Sequence, residues 1–232
     1  MHNVEFRAAG KRGEIWLYDQ IGQSYWGDGI SAKTFQKELT ALGRVETINL
    51  RINSPGGDVF DGIAIYNQLK SHPARVIVDV DGLAASIASV IAMSGDEINI
   101  ASNAMMMIHN PQGMAVGDAA EMQRVAALLV QVKDTLTGTY KDRTGIDKGK
   151  LSDLLDAETW MSADTAVQQG FADRVTGAQQ VSACFDLLSH YRHVPDSLRP
   201  RPSNTSKPAL DKAAVRLAQM SARMASLGIA TN

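Results

Sequence analysis

The sequence predicts an α/β fold with a central parallel sheet of strand–helix–strand units, and three observations carry that expectation. Strand-like and helix-like runs alternate through residues 1–194. The crossovers between successive strand runs are long enough to hold a helix, so the central strands should lie parallel. An apolar fraction of 44% over 232 residues suffices to close one sizeable core.

Each element follows from its local pattern. Glu14 to Tyr18 reads as a strand, and Ser31 to Leu42 as a helix with Ser31 as N-cap and Gly43 just past its end. Thr47 to Ile52 is a β-rich run that ends in the turn Asn53-Ser54-Pro55-Gly56-Gly57. Beyond it, Val59, Phe60, Ile63, Tyr66 and Leu69 mark one helix face. Val76 to Val80 is a strand, Ala84 to Met93 an apolar helix, and Glu97 to Ile100 and Met105 to Ile108 are short strands. In such folds ligands gather at the carboxyl ends of parallel strands. Two loops are expected there, Asn53 to Asp58 and Asp81 to Ser86.

The chain divides by composition into a body, 1–194, and a tail, 195–232. The tail holds four of the seven prolines, no aromatic residue, and six basic against two acidic residues, so a basic tail follows an acidic body. Val194 to Pro208 reads as a solvated linker, because X-Pro steps disfavour helix and these side chains build no core. Leu210, Ala214, Leu217, Met220, Met224 and Leu227 then recur at helical spacing and predict one short amphipathic helix.

A net charge of −2 argues against a protein held to nucleic acid by bulk charge. Cys184 alone forms no internal disulfide, and no Cys/His cluster has zinc-ligand spacing. No stretch approaches the roughly 20 apolar residues of a membrane span, and no signal-peptide h-region is present. A cytoplasmic, metal-free protein without a cofactor is expected.

Three segments carry the chemistry. In Asp81-Gly82-Leu83-Ala84-Ala85-Ser86-Ile87-Ala88-Ser89, a serine flanked by small residues sits between a strand and an apolar helix. This resembles the G-x-S-x-G elbow with alanines for glycines, and the helix start supplies unpaired N–H groups beside the hydroxyl. His109 ends an apolar strand before an Asn-Pro turn, a place from which a neutral imidazole can reach a hydroxyl. Ser54-Pro55-Gly56-Gly57-Asp58 offers main-chain amides to an oxyanion or an extended peptide. It lacks the Lys-Ser/Thr of a phosphate loop, which disfavours nucleotide binding. Each segment taken singly has a plain structural reading. A carboxylate to orient the imidazole would come from Asp153 to Ala163, where Asp156 and Glu158 precede a helix start capped by Ser162.

Taken in order, Ile52-Asn53-Ser54-Pro55-Gly56-Gly57, Gly82-Leu83-Ala84-Ala85-Ser86, Met107-Ile108-His109-Asn110-Pro111 and Met161-Ser162-Ala163 followed by Ala166 to Asp173 resemble the ClpP-like serine peptidases, specifically the phage and prophage branch associated with head maturation. The resemblance runs from about Glu14 to Val175. It implies a ClpP/crotonase-like fold with a long handle helix, here Asp118 to Tyr140, whose Leu128, Leu129, Val132 and Leu136 would interlock two stacked rings of a homo-oligomer. It also implies Ser86 as nucleophile, His109 as general base, and the Gly57 and Ile87 amides as the oxyanion hole. The family's usual aspartate aligns with Glu158, making the triad Ser86, His109 and Glu158 with Asp156 as fallback. The function so implied is a serine endopeptidase acting on capsid or scaffold protein, in host cytoplasm or prohead. The long N-terminal loop that docks ATP-driven unfoldases is missing, which argues against such a partner. Protein turnover with an unfoldase, acyl-CoA hydration or isomerisation on the crotonase scaffold, and an inactive structural subunit are the competing readings.

Overall fold

A computed structural model describes residues 4–24, 27–180 and 186–198. The C-terminal helix expected beyond Pro208 lies outside the described residues. Among the described residues the strands are β1 (Val4–Ala9), β2 (Arg12–Leu17), β3 (Gln23–Ser24), β4 (Gly27–Asp28), β5 (Thr47–Ser54), β6 (Arg75–Ala85), β7 (Glu97–Ala101), β8 (Met105–Ile108), β9 (Thr159–Ser162) and β10 (Arg174–Thr176). The helices are α1 (Ala32–Ala41), α2 (Val59–Lys70), α3 (Ile87–Ala92), α4 (Ala119–Thr144), α5 (Lys148–Asp156) and α6 (Ala163–Gln168). The main sheet runs β1-β2-β5-β6-β7-β10, parallel from β2 onward, with β1 antiparallel at the edge. This is the expected α/β architecture.

Period-two alternation places Ile48, Leu50 and Ile52 of β5 and Val76, Val78 and Val80 of β6 in the core. Helices cover that face: α2 packs on α1 and α3, and α4 on α3 and α5. Ser31, Asp58, Asp118 and Ser162 each cap the helix that follows by accepting its third-residue amide, so those starts are set locally.

Five local expectations are corrected. β6 does not stop at Val80 but runs to Ala85, so Asp81 to Ala85 is strand rather than loop. The cause is a change of partner: Ile77–Val80 pair with β7, whereas Leu83–Ala85 pair with β8. From that point both faces of β6 are buried. Asp81 is therefore a structural residue, held by Arg51 through two hydrogen bonds and by the Tyr18 hydroxyl. The helix expected from Ala84 starts only at Ile87. On α2 the buried residues are Gly62, Ile65 and Leu69, while Phe60, expected on the inner face, is exposed. The stripe expected on α4 is split, with Val132 and Leu136 buried together with Thr137 and Tyr140, and Leu128 exposed. Finally, residues 194–198 do not behave as solvated linker: Val194 is buried, Asp196–Leu198 form a 3-10 turn, and Leu198 packs on the cluster of Leu83, Ala85, Met107 and Leu188. No helix among the described residues is long and apolar enough to cross a membrane.

Candidate active site

Strand register builds the site. Ala85 pairs with Met107, and the Ser86 amide donates to the Met107 carbonyl at 2.9 Å. That bond fixes the turn after β6 against the strand that delivers His109. The result is a Ser86 Oγ to His109 Nε2 distance of 2.7 Å. Ser86 has φ 54° and ψ −129°, a left-handed conformation costly for a side chain bearing a Cβ, and it opens directly into α3. The elbow is braced from within. The Ser89 hydroxyl donates to the Ser86 carbonyl at 2.6 Å and shares a hydrogen bond with the buried Tyr140 hydroxyl of α4 at 2.8 Å.

The glycine turn lies against the serine. A Cβ at Gly56 would stand 2.7 Å from Ser86 Cβ and 2.8 Å from the Ala85 carbonyl, and one at Gly57 would stand 2.0 Å from the Ile21 carbonyl. Only glycine fits at either place, and both have positive φ. Ile87, at the first position of α3, has an amide without an intrahelical acceptor. The two expected oxyanion donors thus belong to segments adjoining the nucleophile, Gly57 through its neighbour Gly56 and Ile87 through the chain itself.

The acid is less simple. Glu158, buried and at φ 51°, sits at the turn between α5 and β9. Its carboxylate accepts from the Trp160 indole at 3.2 Å, the Arg192 amide at 2.9 Å and the His193 amide at 2.7 Å. Burial would raise its pKa, but the Arg192 and His193 amides, the indole and the charge on His109 outweigh it and hold the carboxyl below its ordinary range. Its action on the imidazole is coulombic. Burial lowers the His109 pKa, and the Glu158 charge partly offsets that fall. His109 is accordingly neutral at pH 7, the form a general base requires. Asp156, the fallback, is exposed and turned to Asn110 at 2.6 Å and Lys133 at 2.7 Å, which hold its carboxyl below the ordinary range. The structure therefore joins Ser86 to His109, sets Glu158 within electrostatic reach, and turns Asp156 outward.

Four contacts were missed in sequence: the Tyr191 ring against His109, the Trp160 indole, and the Arg192 and His193 amides. His193 acts on Glu158 through its amide rather than its ring. An aromatic residue in an otherwise polar stretch was the available signal. Among the described residues no group of three or more His, Cys, Asp or Glu could hold a metal ion.

A serine at a strained strand-to-helix elbow, bonded to a neutral histidine on a neighbouring strand end of a parallel α/β sheet, is the arrangement of a serine hydrolase. Residues 9–179 match the family model described as Clp protease, and the chain belongs to that family of serine-type peptidases. It is 32% identical over 153 residues to the ATP-dependent Clp protease proteolytic subunit of Bacteroides fragilis strain ATCC 25285, across 64% of this chain and 74% of that protein. The protein of the same name in strain YCH46 also matches at 32% identity, with 70% of its length covered. Among solved structures, a ClpP1 point mutant from Listeria monocytogenes superposes with a TM-score of 0.62 at 23% identity, over 71% of this chain and 91% of that one, a likeness of fold.

Proposed function

We propose that this chain is a serine endopeptidase using Ser86, His109 and Glu158, and that it processes capsid or scaffold protein of a phage or prophage from within a ring-shaped homo-oligomer. The observation that carries the catalytic part is the 2.7 Å contact between Ser86 Oγ and His109 Nε2. Ser86 Oγ attacks the peptide carbonyl carbon while His109 Nε2 takes its proton. The oxyanion that forms is met by the Gly57 and Ile87 amides. Collapse breaks the C–N bond, and His109 returns the proton to the departing amine. Water, deprotonated by His109, then cleaves the acyl ester and restores Ser86. Glu158 stabilises the imidazolium through its charge.

Family membership favours peptide over acyl-CoA as substrate. A second reading, turnover of folded proteins with an ATP-driven unfoldase, is favoured by the name of the Bacteroides relatives. Incubating the purified protein with major capsid or scaffold protein, and separately with a folded reporter plus unfoldase and ATP, separates the two. Discrete capsid or scaffold fragments formed without ATP, and absent with Ser86→Ala, are expected. Degradation of the reporter alone, and only with ATP, overturns the processing role.

A further inference from the structure

The described residues hold a segment, Asp186–Leu198, that follows the stretch matched by the family model and folds back onto the candidate site. Its anchor is Leu188, buried against Leu83, Ala85 and Met107, the strand residues that lead into Ser86 and His109. Three residues further on, Tyr191 meets the His109 ring edge-to-face, with centroids 5.1 Å apart and planes at 77°. Trp160 backs it in the same manner at 6.1 Å. The Tyr191 hydroxyl donates to the Pro55 carbonyl at 2.5 Å, in the turn that carries Gly56 and Gly57. The next two amides hold the Glu158 carboxylate. One short run thus touches the histidine, the acid and the oxyanion turn at once.

We propose that Tyr191 is a positioning residue for His109, and that the segment from Leu188 to His193 forms a wall of the active site, fixing the imidazole by ring contact and the Glu158 carboxylate by two backbone amides. This rests on the serine-peptidase reading above. An imidazole that shuttles a proton between Ser86 Oγ and a leaving amine must keep its plane, and an aromatic ring packed against it at 77° restricts its rotation. Glutamate has one more torsion than aspartate, and two fixed amide donors remove that freedom. Ser86 and His109 both stay partly exposed with the segment in place, so a substrate can reach them without its departure. An obstructing strap would bury both.

The test uses the full chain and a small fluorogenic peptide, with Tyr191→Ala, Tyr191→Leu and Tyr191→Phe compared. Tyr191→Ala is expected to lower kcat by about 10- to 100-fold with little change in KM, as misplacing a catalytic group does. Tyr191→Phe, which keeps the ring, restores most of the loss. Tyr191→Leu keeps apolar bulk against Leu188 and Trp160 but not the ring, and stays slow; it is read in place of the alanine variant should that one fail to fold. The pH profile gives a readout that loose packing would not. Glu158 is the charged group acting on His109, and Tyr191 the titratable group against its ring. Removing the ring re-exposes the imidazole, so the acid limb of kcat/KM moves to higher pH in Tyr191→Ala and not in Tyr191→Phe. A rise in kcat/KM in Tyr191→Ala identifies an obstructing strap and overturns the proposal, as does equal activity of the Leu and Phe variants. Fluorophosphonate labelling of the unmodified chain keeps the two claims apart. A labelled Ser86 with a kinetically silent Tyr191 sinks this inference alone, whereas an unlabelled Ser86 sinks the peptidase reading itself.

Discussion

At the scale of single residues, burial and charge together set the His109 proton affinity. Burial lowers its pKa and the Glu158 charge raises it. Activity needs the neutral imidazole, so it persists below the ordinary histidine pKa of about 6.5 and falls as pH drops through the depressed value. Glu158→Gln removes the charge that favours the imidazolium. Its acid limb should move to still lower pH, while kcat drops by roughly 10²- to 10⁴-fold, as loss of the acid does in related triads. A pH–rate profile measures both effects. Asp156→Asn should leave the profile in place, since that carboxylate faces Lys133 and solvent. If Asp156→Asn alone slows the enzyme, the acid is misassigned by two residues. Ser86 and His109 were legible in sequence because small residues around a serine and a histidine at a strand end are local signals. The two backbone-amide hydrogen bonds to Glu158 were not, because their donors lie 34 and 35 residues away and arrive by tertiary folding.

Among elements, the seam between α2 and α3 controls the nucleophile turn. A Cβ at Gly62 would lie 2.1 Å from Ile87 Cγ1, so the residue after Ser86 is seated where α2 offers no side chain. Gly62→Ala should lower stability by about 1–3 kcal/mol and slow covalent labelling of Ser86, because Ile87 must shift. Gly138 on α4 has nothing within 4 Å of its virtual Cβ. Gly138→Ala should therefore raise stability, by up to about 1 kcal/mol from helix propensity. Paired thermal melts check the contrast. The same region marks a limit of reading by propensity. Ala84 and Ala85 favour helix taken alone, but pairing with Met106 and Met107 holds them in β6. The strand of β8 was legible from Met105 to Ile108, yet its partners β6 and β9 were not, since the register joins residues distant in sequence, Leu83 with Met105 and Met105 with Ser162.

At the scale of the whole molecule, α4 carries two different surfaces. Its C-terminal half buries Val132, Leu136 and Tyr140 in its own body, while its N-terminal half exposes Met122, Leu128 and Val130, the last with 68% of its surface free. Apolar side chains left exposed on the expected handle helix are what a subunit contact would cover. Leu128→Asp combined with Val130→Asp should reduce the proposed ring assembly to smaller species in sedimentation velocity; an unchanged mass would remove α4 from the interface. The proposed catalysis rests on the conversion of one strained serine into a nucleophile by one neutral histidine. Its most direct measurement is fluorophosphonate labelling of the native protein followed by peptide mapping. The account requires the adduct on Ser86, and its loss in His109→Ala with the fold retained. An adduct on another serine, or undiminished labelling in Ser86→Ala, would contradict it.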